Sequence, residues 1–119
     1  MPNPLQRSRA IAFQKQGGLC FYCQTPMCQD DPAAFAARLN LPARRVRHLQ
    51  CTAEHLLARQ DRGDDLPANV VAASLFSNRH RHWHRERQAP APHQYRKRVR
   101  ALMQAGRWYG APVKQQWCG

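Results

Sequence analysis

Five residues with chemistry to offer fall within a short span: Glu54 beside His55, then Asn69, Asn78 and His82. A carboxylate supplies a hard oxygen ligand for a divalent cation. The neighbouring imidazole supplies a base whose ordinary pKa, about 6.5, suits proton transfer near neutrality. Asn78 and His82 are four positions apart, which sets both on one face of a helix. One carboxylate, one amide oxygen and one imidazole make an open site for Mg²⁺ or Mn²⁺, with water and phosphate oxygens left to complete the shell. Taken singly, each residue has an ordinary use. A Glu-His pair sits on many surfaces, Asn69 is a natural helix cap, and the run 79–87 is a solvated basic face. The joint spacing is what points to chemistry.

These side chains need elements to carry them. Residues 49–55 alternate in part and predict a short strand ending at His55. In a strand, Glu54 and His55 point to opposite faces, so the chain must turn after His55 for both to reach one ion and its water. Residues 58–68 mix Gly, Asp and Pro and predict turns. From Asn69 to about His84 the pattern predicts a helix, with Val71, Leu75, Asn78 and His82 on one face. On the flanks, residues 4–16 predict a helix stopped by Gly17-Gly18. Asp30 or Asp31 caps a short helix over 32–39, and residues 42–47 form a basic connector or helical turn. After a linker at 88–92, a last helix over 92–105 buries Tyr95, Val99, Leu102 and Met103.

The 119 residues suit a single domain, with a core over about 20–84 and a basic helix and tail over 92–119. The net charge is +12, from 19 basic and 7 acidic residues, and ten of the basic ones lie in 79–119. Such a field favours a polyanionic partner, of which nucleic acid is the commonest. No apolar run has spanning length, which argues against a membrane protein. No secretory leader is visible and the five cysteines are an odd number, so the expectation is a reducing cytoplasm. There Cys20-Phe21-Tyr22-Cys23 reads as a metal or redox knuckle before it reads as a disulfide.

Glu54-His55, Asn69, Asn78 and His82 resemble the HNH endonuclease family. Its pattern is Asp/Glu-His at a strand end, an Asn about fourteen residues on, and a helix carrying His or Asn and then His. The spacings here are 14, 9 and 4, and Gly63-Asp64-Asp65 falls where that family has a Gly-containing loop. The resemblance covers residues 20–82 and implies an α+β fold, a small ββα-metal core with flanking N- and C-terminal helices. It implies metal-dependent hydrolysis of DNA phosphodiesters to a 5′-phosphate and a 3′-hydroxyl. His55 would activate water, Asn69 would brace the loop behind it, and Glu54, Asn78 and His82 would hold one divalent ion. Asn78 stands where His is more familiar, as in the Asn-containing branch. Arg59, Arg62, Arg79, Arg81 and Arg85 would grip the backbone of DNA, expected to be double-stranded, with weak sequence preference.

The sequence departs from that family at the knuckle. A second Cys pair is expected just before Asn78 to complete a structural zinc site, and Ser74 and Ser77 stand there instead. Hydroxyls are poor zinc ligands beside thiolates, so a structural zinc is not expected. Phe21, Tyr22, Leu75 and Phe76 are placed to fill the space with apolar groups; the alternative is a rebuilt site on Cys20, Cys23 and Cys28. Cys51 reads as a small core residue and Cys118 as a free terminal thiol. Two other functions compete: a non-catalytic, degenerate nucleic-acid-binding module of the same fold, and a redox protein working through Cys20 and Cys23. The redox reading requires a βαβ context, which the pattern lacks.

Overall fold

In a computed structural model of the chain, residues 2–83 and 88–109 are described. Helix α1 (Pro4–Lys15) starts where Asn3 and Gln6 cap each other reciprocally and Pro4 opens the first turn. It stops at Gly17 and Gly18, both at positive φ, as the sequence predicts. Helix α2 (Pro32–Leu39) is capped by Asp31, whose side chain accepts from Ala34 N–H. The basic connector forms a short helix, α3 (Ala43–His48). Strands β1 (Cys51–His55) and β2 (Val70–Ser74) pair antiparallel, from Cys51 opposite Ser74 to His55 opposite Val70. Helix α4 (Leu75–Arg81) follows β2 directly, and α5 (Pro92–Gln104) closes the described chain. The architecture is α+β; a loop with two 3₁₀ turns joins β1 to β2, and α4 follows β2 directly.

One prediction is overturned here. Residues 69–84 are not one helix: Val70–Ser74 is a strand, only Leu75–Arg81 is α-helical, and His82 is its C-cap. Val71 therefore does not share a helical face with Asn78 and His82. The misreading has a physical cause. α1 packs on the sheet and α4 also touches it, so β2 is buried at four of its five residues. A strand covered in this way loses the apolar–polar alternation that would betray it. Ser74 then caps α4 by accepting from Ser77 N–H. His84 lies outside the described residues.

Two clusters form the core. Tyr22, Met27, Cys51, Ala72, Ala73, Tyr95, Val99 and Met103 pack around the sheet, with Ala12 from α1. Cys28, Phe35, Leu39, Val46 and Leu49 pack where α2 meets α3. Of the expected stripe on α5, Tyr95, Val99 and Met103 are buried, while Leu102 is only half-buried. Among the described residues no helix is long and apolar enough to cross a membrane.

Candidate active site

Glu54 is 5% exposed, so its carboxylate is held out of water by the fold. Two groups from the end of α4 reach one of its oxygens: Arg81 Nη1 lies 3.0 Å and His82 Nε2 3.2 Å from Glu54 Oε1. The other oxygen, Oε2, is buried with no hydrogen-bond partner among the described residues. The Tyr22 hydroxyl, also without a hydrogen bond of good geometry, lies beside this carboxylate. Burial, and then the charge of Glu54, hold that phenol well above its ordinary range. Asn78 turns its amide nitrogen to β1, donating to Thr52 Oγ1 at 3.0 Å and to Ala53 O at 3.3 Å. No partner is found for its Oδ1 among the described residues. An open groove of about 1050 Å³ is lined by Glu54, His55, Arg59, Asn78, Arg81 and His82, with Gln88–Pro92 as its far wall.

His55 ends β1 and is mostly buried, its side chain 18% exposed. Its Nε2 lies 2.8 Å from Asp65 Oδ1, and Arg59 grips the same carboxylate at 3.1 Å. The hydrogen bond with His55, and after it Arg59, keeps the Asp65 carboxyl below the usual carboxylate range. The backbone of Asp65 is tied to α1, its carbonyl accepting from Ser8 Oγ. No direct contact joins His55 to Glu54, as expected for adjacent strand residues, yet both line the groove.

The loop between the strands is stitched by Asn69. Its Oδ1 accepts from Leu57 N–H at 2.8 Å, and its Nδ2 donates to Leu57 O at 3.0 Å and Asp64 O at 2.9 Å. Asn69 caps no helix; it ends a 3₁₀ turn, Pro67–Asn69. Gly63 is required by close approach, since a Cβ there would meet Leu57 O at 1.7 Å. The loop is thus fixed at both ends of the segment that presents Asp65 to His55.

The structure therefore brings Glu54, Asn78 and His82 to one groove and adds His55 at the strand end. Asp65 and the contact of Arg81 with Glu54 were missed. Gly63-Asp64-Asp65 was legible as a loop, but nothing in spacing says which Asp meets His55. Arg81 departs from its expected role on a DNA backbone: its side chain is only 9% exposed and is committed to Glu54 and to Pro90 O. Arg59 is largely engaged with Asp65, whereas Arg62 and Arg79 are exposed; Arg85 lies outside the described residues. His80, between Asn78 and His82 in sequence, does not line the groove and stacks on Phe76. Among the described residues no three His, Cys, Asp or Glu side chains converge, so a cation in the groove depends on Asn78 as the third donor.

The knuckle is a different kind of site. Cys20 and Cys23 meet Ser74 and Ser77 in the core, all four at 2% exposure or less. Ser74 N–H donates to Cys20 Sγ at 3.2 Å, Trp108 Nε1–H to Ser77 Oγ at 3.2 Å, and Tyr95 O–H to Ser77 O at 2.7 Å. Cys23 Sγ lies 3.2 Å from Thr25 Oγ1. Burial pushes the Cys20 thiol up, while hydrogen bonds from Cys20, Thr25 and Ser77 bring Cys23 down to about 6. Apolar filling is seen in part, since Tyr22 is buried with Cys20 and Cys23 and Phe21 packs against that cluster, while the serines add hydrogen bonds to it. Tyr22 stacks edge-on against Tyr95 behind it, and Phe76 joins rings elsewhere. Cys28 does not join Cys20 and Cys23; its thiol lies 3.3 Å from Asp30 O in the other core cluster. Cys51 is a buried core residue on β1, and burial raises its thiol to about 11. Cys118 lies outside the described residues.

Compared with family models, with curated proteins and with solved structures, the chain matches none.

Proposed function

We propose that the chain is a metal-dependent DNA endonuclease of the HNH, or ββα-metal, type. The observation that carries this reading is the buried carboxylate of Glu54, set at the end of β1 on a groove that Asn78, His82 and His55 also line. A divalent ion would be held there by the Glu54 carboxylate, the Asn78 amide oxygen and the His82 ring. When bound, that ion would offset the charge of the scissile phosphate.

The chain's own groups supply the rest. The Asp65 carboxylate beside Nε2 favours the tautomer with its proton there, which leaves Nδ1 of His55 to accept a proton from water. A base oriented by a third group is a recurrent catalytic arrangement. Asn69 keeps the loop that carries Asp65 in place. The exposed arginines and the basic α5 hold the DNA backbone, with affinity that falls steeply as salt rises.

A second reading, a degenerate module that binds DNA without cutting, has one observation in its favour. Arg81 places a fixed cation on Glu54, so the carboxylate is already partly neutralised. Plasmid nicking separates the two. The expected result is nicking with Mg²⁺ or Mn²⁺ that stops with chelator and in His55→Ala. Tight DNA binding with no nicking in either metal supports the degenerate module instead.

A further inference from the structure

Helix α4 has a second face, opposite in use to the one that meets Glu54. Phe76 and His80 on α4, and Trp83 just past its C-cap His82, stack in turn. Phe76 and His80 are 4.1 Å apart at 26°, and His80 and Trp83 are 5.5 Å apart at 25°. Tyr109 extends the stack beyond Phe76, at 4.7 Å and 23°, and the Arg45 guanidinium covers Tyr109 at 5.3 Å. Trp108 stands edge-on against both Phe76 and His80 and braces them. The result is a near-parallel column closed at one end by a cation. At the other end stands Trp83, 68% exposed.

We propose that this open end is a stacking platform for an unpaired base, and that the DNA bound here is single-stranded next to the groove. The occupant follows from shape and charge together. An exposed flat ring that continues a column of flat rings offers its face to another flat ring, and every base has one. The surroundings select a polyanion: α3, α4 and α5 contain nine arginines and lysines and no Asp or Glu. Among these, Arg44, Arg47 and Arg79 are exposed. Trp83 follows His82 directly, so a strand whose phosphate lies in the groove has a base within reach of the platform. A base inside a duplex is stacked on both sides and cannot use it. The inference rests on the nuclease reading for the identity of the nucleic acid, and it names the form of that substrate.

The test is a binding titration in chelator, so that cutting plays no part. The probes are a mixed-sequence DNA strand of about a dozen nucleotides and the matching duplex. Trp83→Ala is expected to weaken strand binding roughly tenfold and leave the duplex little changed. Trp83→Phe keeps a ring and is expected to retain most of the affinity. The salt dependence should keep its slope in both variants, since no phosphate contact is removed. Thermal melting checks the fold, which an exposed position should not disturb. Unchanged strand binding in Trp83→Ala overturns the inference. So does an equal loss on strand and duplex, or a strong preference for an RNA strand over the DNA one. Absence of nicking alongside a strand-selective loss would remove the nuclease reading alone; normal nicking with a neutral Trp83→Ala would remove the platform alone.

Discussion

At its first turn α4 meets the Cys20–Cys23 knuckle, and at its last turn it meets the groove over Glu54. Both are polar clusters set into an apolar fold, and their atoms are matched differently. In the knuckle, Ser74 N–H meets Cys20, Ser77 N–H meets Ser74, and Trp108 and Tyr95 meet Ser77. At the groove, Glu54 takes Arg81 and His82 on one oxygen, while its other oxygen and the neighbouring Tyr22 hydroxyl make no hydrogen bond of good geometry among the described residues. A cluster whose donors and acceptors match one another has no use for a ligand, whereas a carboxylate that borders an open groove can take one. The same short helix thus carries one polar site closed by its own hydrogen bonds and one still open.

The largest effect is expected at the open site. On the nuclease reading, His55→Ala removes the proposed proton acceptor and should lower nicking by roughly 10²–10⁴-fold while DNA affinity in chelator stays near normal. Asp65→Asn should cost less, because it disturbs the orientation of the ring and leaves the base in place. Rate and affinity measured on the same preparations give the answer. Cleavage by His55→Ala at the normal rate would show that the groove is open without being catalytic.

Arg81 decides how open the groove is. Its guanidinium and the Glu54 carboxylate form a buried pair, and removing one partner of such a pair costs roughly 3–5 kcal/mol. Arg81→Met should therefore unfold at markedly lower denaturant in chelator. Mg²⁺ or Mn²⁺ should return part of the loss by taking the place of the lost cation. If neither ion stabilises the variant or the wild type, the groove resembles the knuckle: a polar site completed from within.

The knuckle can be reopened. Ser74→Cys with Ser77→Cys sets four thiols in one buried cluster, the ligand set of a structural zinc site. Zinc at a thousandfold excess over its Kd would then stabilise the double variant by about 4 kcal/mol. The wild type should show no zinc-dependent shift and carry no zinc by elemental analysis. One tightly held zinc per wild-type chain would mean that hydrogen bonds do not complete this cluster.

Much of this was legible in the sequence where local chemistry dictates local structure. Asn3-Pro4 and Asp31-Pro32 announce helix starts, Gly17-Gly18 announces a stop, and each helix forms where those signals put it. Spacing alone points to Glu54, Asn78 and His82 meeting at one groove, but the helical face it assigns to Val71 is a strand. A strand buried along four of its five residues carries no alternation, and Val71 and Leu75 happen to sit four apart. The pairing of Asp65 with His55 spans ten residues of irregular loop, and that of Arg81 with Glu54 spans two elements. Neither leaves a periodic trace. In the sequence, Ser74 and Ser77 show only as a loss of ligands. Their gain, a helix cap and a set of acceptors for Trp108 and Tyr95, depends on tertiary contacts that no local pattern records.

The smallest expected effect tests the closed site through pH. Hydrogen bonds from Cys20, Thr25 and Ser77 lower Cys23 to about 6, against 9.0 for an ordinary thiol. Below pH 6 the folded and unfolded chains both keep this proton, so it contributes nothing there. Between 6 and 9.0 the folded chain releases a proton that the unfolded chain retains, and stability rises with pH. Above 9.0 the unfolded chain ionises its thiols too, while burial keeps Cys20 protonated in the fold; the curve should then turn down. Histidines titrate in the same range, so the wild type alone does not isolate the thiol. The difference between wild type and Cys23→Ser does, and it should grow from about pH 6 to about pH 9 in denaturant midpoints. Cys20→Ser tests the cause, because a hydroxyl can still donate to Cys23 and should preserve much of the rise, whereas Cys20→Ala should flatten it. If all three variants follow the wild-type curve in parallel, Cys23 stays protonated in the fold, and the knuckle is held by neutral hydrogen bonds alone.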